Sequence, residues 1–132
     1  MNIIGIGIDI CENKRIAKLV DKFGNFFLKR IFHENEIIHG FKKYKNNKLM
    51  LSNFFAKRFA GKEAFTKACG FSKNIRKNEI SILSNKNGKP VIEIFGMTKQ
   101  EIESHFSSQI FFHISLSDEK DFSIANVIIE RL

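Results

Sequence analysis

The sequence predicts an α+β fold, with helices packed on a mainly antiparallel small sheet, in a single domain spanning residues 1–132. Three observations point there. An isoleucine-rich segment with strict alternation opens the chain, apolar residues at helical spacing fill the rest of the first half, and strand-like alternation returns in the second half.

Ile4, Ile6, Ile8 and Ile10 share one face of the opening strand, and Gly5, Gly7, Asp9 and Cys11 share the other. The isoleucine face is expected to bury. The glycine face, bare up to Asp9, leaves room for a backbone or a ligand to approach closely. Glu12 to Phe32 reads as helix, with Ile16, Leu19, Val20, Phe23, Phe27 and Ile31 as its apolar stripe and an interruption at Gly24-Asn25. A shorter helix is expected from Glu34 to Tyr44, then a basic loop, Lys45 to Lys48.

A third helix is expected to start at Ser52 or Asn53, both good caps, and to stop at Gly70. Gly61 inside it costs about 1 kcal/mol relative to alanine, which suggests close packing or ligand approach at that turn. Strands follow at Glu79–Leu83 and Val91–Phe95, joined by a turn containing Asn87-Gly88, a strong hairpin signal. Thr98 to Glu101 fits a capping box opening a helix to Phe106. Two last strands, Ile110–Ser117 and Phe122–Glu130, flank the polar turn Asp118 to Asp121.

The composition is that of an ordinary globular protein, 43% hydrophobic and 27% charged, with 15 Phe and no Trp. A net charge of +8 favours polyanionic partners: nucleic acid, phosphorylated small molecules or an acidic protein. Cys11 and Cys69 lack metal-ligand spacing and fit reduced thiols in a cytoplasmic protein. The opening residues do not resemble a signal peptide, and no apolar run reaches the roughly 20 residues that span a bilayer.

The chemistry concentrates in Arg58-Phe59-Ala60-Gly61-Lys62-Glu63-Ala64-Phe65-Thr66-Lys67, which places one carboxylate among three cations on one helix. Glu63 has Thr66 and Lys67 at i+3 and i+4, so a surface Glu63–Lys67 ion pair is one reading and a phosphate or metal site is the other. Asp9 is out of character on an isoleucine strand. It either caps the following helix or joins Glu63 as a hard oxygen ligand. Two carboxylates are too few for an all-protein cage, but they suit Mg²⁺ completed by waters and phosphate oxygens. Alternation puts His113, Ser115 and Ser117 on one strand face, which is either a phosphate contact or a satisfied polar face. No P-loop, GxGxxG or zinc spacing is present.

In order, Gly5-Ile6-Gly7-Ile8-Asp9-Ile10, the Arg58–Lys67 segment, Asn87-Gly88-Lys89-Pro90 and His113-Ile114-Ser115-Leu116-Ser117 resemble the small phosphopantetheinyl transferases, the holo-acyl-carrier-protein synthases. The resemblance covers essentially the whole chain. It implies the phosphopantetheinyl transferase fold and transfer of the 4′-phosphopantetheine arm of coenzyme A to a serine of apo-acyl carrier protein for fatty acid biosynthesis. Adenosine 3′,5′-bisphosphate is released. By this resemblance Asp9 and Glu63 hold Mg²⁺, and Glu63, directly or through a metal-bound water, deprotonates the serine. Lys67 neutralises the pyrophosphate. Arg58, Lys62, His113 and Ser115 become candidates for the coenzyme's phosphates, and Asn87, Gly88, Lys89 and Pro90 would border its adenine and 3′-phosphate.

The resemblance also implies an acidic carrier protein docking on the first helix. Arg15 would lead, helped by Lys14, Lys18, Lys22 and Arg30, with Phe27 as apolar contact. It implies a homotrimer with active sites shared between subunits, and neither a membrane nor a nucleic acid as partner. Asp118 departs from the family, where many relatives carry a second His. Two other classes compete: a basic RNA-binding module, and a Mg²⁺-dependent phosphodiesterase. No RNA-binding signature is present, and Asp9 with Glu63 would repel phosphates in the absence of a metal.

Overall fold

The computed structural model describes residues 1–107 and 109–132. The chain runs β1 (Asn2–Glu12), α1 (Asn13–Phe23), α2 (Asn25–Ile31), α3 (Glu34–Lys43), α4 (Lys48–Cys69), a 3₁₀ turn (Lys77–Glu79), β2 (Ile80–Ser84), β3 (Pro90–Ile94), α5 (Gly96–Phe106), β4 (Ile110–Asp118) and β5 (Phe122–Arg131). The sheets are antiparallel, one of three strands in the order β1-β5-β4 and one hairpin, β2-β3. The α+β expectation holds.

The long helix α4 lies across the three-stranded sheet and is buried on several sides, through Phe54, Phe55, Ala60, Ala64, Phe65 and Ala68. Its small residues meet the small residues of β1. A Cβ at Gly5 would run into the carbonyl of Ala68, and one at Gly7 into the carbonyl of Ala64. The bare glycine face is therefore filled by backbone, one of the two occupants expected for it. The isoleucine face, however, does not bury within this chain beyond Ile4, which lies at a register shift between Ile3 and Gly5 and packs partly on the core: Ile6, Ile8 and Ile10 are 64%, 56% and 62% exposed. Glycine lets strand and helix approach so closely that the helix takes that side, and the bulkier side chains are turned outward.

Helix α4 also begins a turn earlier than expected. Asn47 Oδ1 accepts from Met50 N at 3.0 Å, so the cap stands before the basic residue Lys48 rather than at Ser52 or Asn53. Gly70 ends the helix in the left-handed region, as its position predicts. A Cβ at Gly61 would stand 2.6 Å from Ile82 Cδ1 and 3.2 Å from Ile114 Cδ1, so close packing accounts for that glycine.

Gly24, at φ 54°, breaks α1 from α2. The β2–β3 turn is longer than a two-residue hairpin, with Asn85 Oδ1 accepting from the amides of Asn87 and Lys89 at 2.9 and 3.1 Å. Helix α5 starts at Gly96, before Thr98, and its cap is tertiary. Glu79 accepts from Met97 N at 3.0 Å, from Thr98 N at 3.1 Å and from Thr98 Oγ1 at 2.9 Å. A carboxylate brought from 19 residues upstream thus replaces the local capping box.

Candidate active site

Asp9 does not end its strand. β1 continues to Glu12, and Asp9 pairs with Ala125 of β5. Nor does Asp9 cap α1, whose cap residue is Glu12 and has no side-chain hydrogen bond. The α1 start is instead pinned to the β4–β5 turn, with Asn13 Nδ2 donating to the Glu119 carbonyl at 2.9 Å. Lying two residues beyond Gly7, Asp9 shares the face that packs on α4, and its side chain is mostly buried.

Lys67 meets it there. Its ammonium donates to Asp9 Oδ1 at 3.1 Å and to the Ile8 carbonyl at 2.9 Å. One helical turn before Lys67, Glu63 pairs with Lys77 Nζ at 3.2 Å. The expected Glu63–Lys67 ion pair is therefore absent, because tertiary partners claim both ends. Cys11 registers the proximity of both carboxylates. Burial pushes its thiol up to about 11; the Arg15 charge opposes this, and Asp9, Glu12 and Glu63 reinforce it. Such a thiol is a core group and not a nucleophile.

Asp9 and Glu63 are each balanced by one ammonium, Lys67 and Lys77, and each side chain is partly reachable from solvent. Among the described residues no cluster of three or more metal-ligating side chains exists. These residues do not make an all-protein cage; Asp9 and Glu63 could hold only a cation that keeps most of its ligands as water and phosphate oxygens, as Mg²⁺ does.

Two expected phosphate contacts fail on burial. Lys62 is fully enclosed, with Nζ 2.5 Å from Glu36 Oε1 and donating to the Lys77 carbonyl at 3.0 Å and to the Ile80 carbonyl. Burial holds its ammonium below the usual lysine range, while Glu36 partly restores it. Arg58 is buried as well: its Nε donates to the Ile82 carbonyl at 2.9 Å, and its guanidinium lies 3.6 Å over the Phe54 ring. Both cations point into the protein, Arg58 donating to the Ile82 and Phe54 carbonyls and Lys62 to Glu36 and the Lys77 and Ile80 carbonyls. Neither is placed to bind a coenzyme phosphate.

His113 and Ser115 are exposed on the outer face of β4, as alternation predicts, and His113 Nε2 lies 2.7 Å from Glu130 Oε2. That face is opposite the one carrying Asp9. One chain therefore does not bring the histidine strand and the two carboxylates together. Asn87, Gly88 and Lys89 lie in the exposed tip between β2 and β3, and Pro90 opens β3. No hydrogen bond or ion pair among the described residues joins them to Asp9 or Glu63. Asp118 pairs with Lys57 at 3.4 Å.

On α1 and α2, Lys14, Arg15, Lys18, Lys22 and Arg30 are all exposed, and Arg15 sits 5.6 Å over the Phe59 ring. Phe27 is not available to a partner. It is 9% exposed and packs on Phe32, whereas Phe26 is 71% exposed. Phe23 is also exposed. The apolar stripe read from the sequence already marks Phe27 as a packing residue, and its burial agrees; what fails is the docking role that the resemblance implied for it, because a side chain committed to the core cannot also meet a partner.

Comparison with known proteins bears on the same motifs. A family model described as the 4′-phosphopantetheinyl transferase superfamily matches residues 5–127. The chain belongs to that superfamily. A holo-[acyl-carrier-protein] synthase of Pelagibacter ubique is 40% identical, with 99% of each chain covered. One of Ehrlichia chaffeensis is 45% identical, with 96% of each covered. The crystal structure of a holo-(acyl-carrier-protein) synthase from Bacillus anthracis in complex with CoA (3′,5′-ADP) superposes with a TM-score of 0.77 at 35% identity, covering 98% of each chain. The chain is thus a phosphopantetheinyl transferase, and neither the RNA-binding nor the phosphodiesterase alternative gains support. Among the described residues no helix is long and apolar enough to cross a membrane.

Proposed function

We propose that this chain transfers the 4′-phosphopantetheine arm of coenzyme A to a serine of an acidic apo-acyl carrier protein, with Mg²⁺ as cofactor and in the cytoplasm. The observation that carries this reading is the Lys67–Asp9 contact, which closes the strand motif and the helix motif into one charged cluster. Superfamily membership supports the reaction class. The coenzyme held by the Bacillus anthracis relative supports the donor.

Asp9 and Glu63 would hold Mg²⁺, which when bound supplies positive charge at the pyrophosphate. The carrier serine oxygen forms a bond to the phosphorus of the phosphopantetheinyl group. The bond from that phosphorus to the oxygen of adenosine 3′,5′-bisphosphate breaks. Glu63, whose side chain is partly exposed, would take the proton of the serine hydroxyl. Lys67, fixed by the Ile8 carbonyl, balances charge on the departing phosphate.

The working unit is a trimer in this proposal. The exposed isoleucines of β1 form an apolar face that water alone would leave costly. His113 and Ser115, on that side of the sheet, would then serve the carboxylate pair of a neighbouring subunit. The Asn87–Pro90 tip would border the adenine. The carrier protein would meet α1 and α2 through Arg15 and its neighbouring cations, with Phe26 in the apolar role. With a net charge of +8 this docking weakens as salt rises.

Mass spectrometry of an apo-carrier protein incubated with the enzyme, coenzyme A and Mg²⁺ tests the reading. The expected outcome is one added phosphopantetheine arm, abolished by a chelator and strongly reduced in Asp9→Ala and Glu63→Ala. An unmodified carrier from a folded preparation would sink it.

A further inference from the structure

Lys62 and Glu63 are neighbours on α4, and both reach Lys77. Lys62 Nζ donates to the Lys77 carbonyl at 3.0 Å, and Glu63 Oε1 lies 3.2 Å from Lys77 Nζ. The first contact belongs to the interior, because the same ammonium is committed to Glu36. The second opens to solvent, with the Lys77 and Glu63 side chains 34% and 32% exposed. A buried anchor on the backbone thus delivers an accessible ammonium to a carboxylate of the site.

On its other side Lys77 borders a groove of about 410 Å³ shared with Arg30, Ile31, Ile75, Arg76 and Asn78. Every charged residue lining it is a cation. An ammonium released from Glu63 finds no carboxylate in that lining, whereas a phosphate entering there meets three cations. Each carboxylate of the pair thus has its own lysine: Lys67 for Asp9, Lys77 for Glu63.

We propose that Lys77 is a further binding residue of this site, the counter-ion of Glu63 in the ligand-free protein and a ligand of the coenzyme's polyphosphate once a divalent cation takes the carboxylate. This rests on the reading of Asp9 and Glu63 as metal ligands. It makes metal and polyphosphate binding mutually reinforcing, since each frees or engages the group that the other needs, and such coupling is reciprocal.

Titration with Mn²⁺, followed by the paramagnetic resonance signal of the free ion, tests this on the full chain with and without coenzyme A, the nucleotide that carries the intact pyrophosphate. Removing a partly exposed counter-ion should let Lys77→Met bind Mn²⁺ alone about 1.5- to 5-fold more tightly than the parent. The gain in Mn²⁺ affinity on adding the nucleotide should shrink by a similar factor, and Lys77→Arg should restore both. Circular dichroism checks that each variant is folded. Identical titrations for Lys77→Met and the parent would overturn the role of Lys77 while leaving the metal site standing. Equal Mn²⁺ binding by the parent and Asp9→Asn, with and without nucleotide, would remove the metal reading and this proposal with it.

Discussion

Lys62 and Glu36 pair inside the protein at 2.5 Å, with neither side chain exposed. Glu36 Oε1 also accepts from His33 N at 2.9 Å, and its Oε2 accepts from Ile82 N at 3.1 Å. Lys62 spends its remaining donors on the Lys77 and Ile80 carbonyls. The pair ties α3, α4, β2 and the 3₁₀ turn together with every polar partner satisfied. Removing one member leaves a buried charge unpaired, so Lys62→Ala should lose about 3–5 kcal/mol of stability in urea denaturation. KM for coenzyme A in the folded fraction should stay near that of the parent. A large KM increase without loss of stability would instead assign Lys62 to phosphate binding.

Phe26 and Phe27 should separate docking from packing. Phe27→Ala empties a core position and is expected to cost about 3–5 kcal/mol. Phe26→Ala should leave the denaturation midpoint almost unchanged and raise KM for the carrier protein several-fold. Equal effects of the two on stability would contradict their difference in burial.

Gly7→Ala would push a methyl group into the Ala64 carbonyl, with only backbone available to move. Overpacking of this kind typically costs about 1–3 kcal/mol. Since Asp9 follows two residues later, strand displacement should also weaken the Lys67–Asp9 contact and lower kcat. A variant as stable and as active as the parent would show that β1 and α4 tolerate separation.

Ile8→Asp places a charge in the middle of the exposed β1 face, where the parent side chain is 56% exposed. Sedimentation should give a trimer for the parent and a folded monomer for the variant, with activity lost. A monomeric, active parent would remove the shared-site proposal.

Acid should unfasten α5. Burial alone would raise the Glu79 carboxyl, but hydrogen bonds from Thr98 Oγ1, Thr98 N and Met97 N, with the charge of Arg76, bring it below its ordinary value of 4.5. A depressed folded-state value means that the unfolded chain binds the proton more readily, so stability is gained as pH rises. This contribution is complete above the ordinary carboxyl range and is lost as pH falls through the lowered folded value. Thermal melts of the parent and Glu79→Gln between pH 6 and 3 should converge toward the acid end. A constant difference across that range would rule out Glu79 as the source.

Much of this was legible in the sequence. Alternation located β1, the Gly24 break and the Gly70 stop were marked by their own residues, and Asn87-Gly88 announced a hairpin. The motifs placed Asp9, Glu63 and Lys67 in one cluster by resemblance, and the structure brings Asp9 to Lys67. The burial of Arg58 and Lys62 was not legible. Helix α4 is enclosed on several sides, so its sequence carries no single polar face to say which cations reach water. The Glu63–Lys77 pair spans a loop that no local spacing rule covers.

By itself, the sequence determined the two alternating faces of β1, the residues at which helices break, and the acids and bases available for chemistry, because these follow from local geometry and residue type. Which face of β1 turned inward was decided only in three dimensions. Alternation separates isoleucines from glycines and predicts that the apolar set buries. A helix backbone, however, can come closest where no side chain stands, so Gly5 and Gly7 drew α4 to their side and left Ile6, Ile8 and Ile10 facing out. That same approach set Asp9 against Lys67.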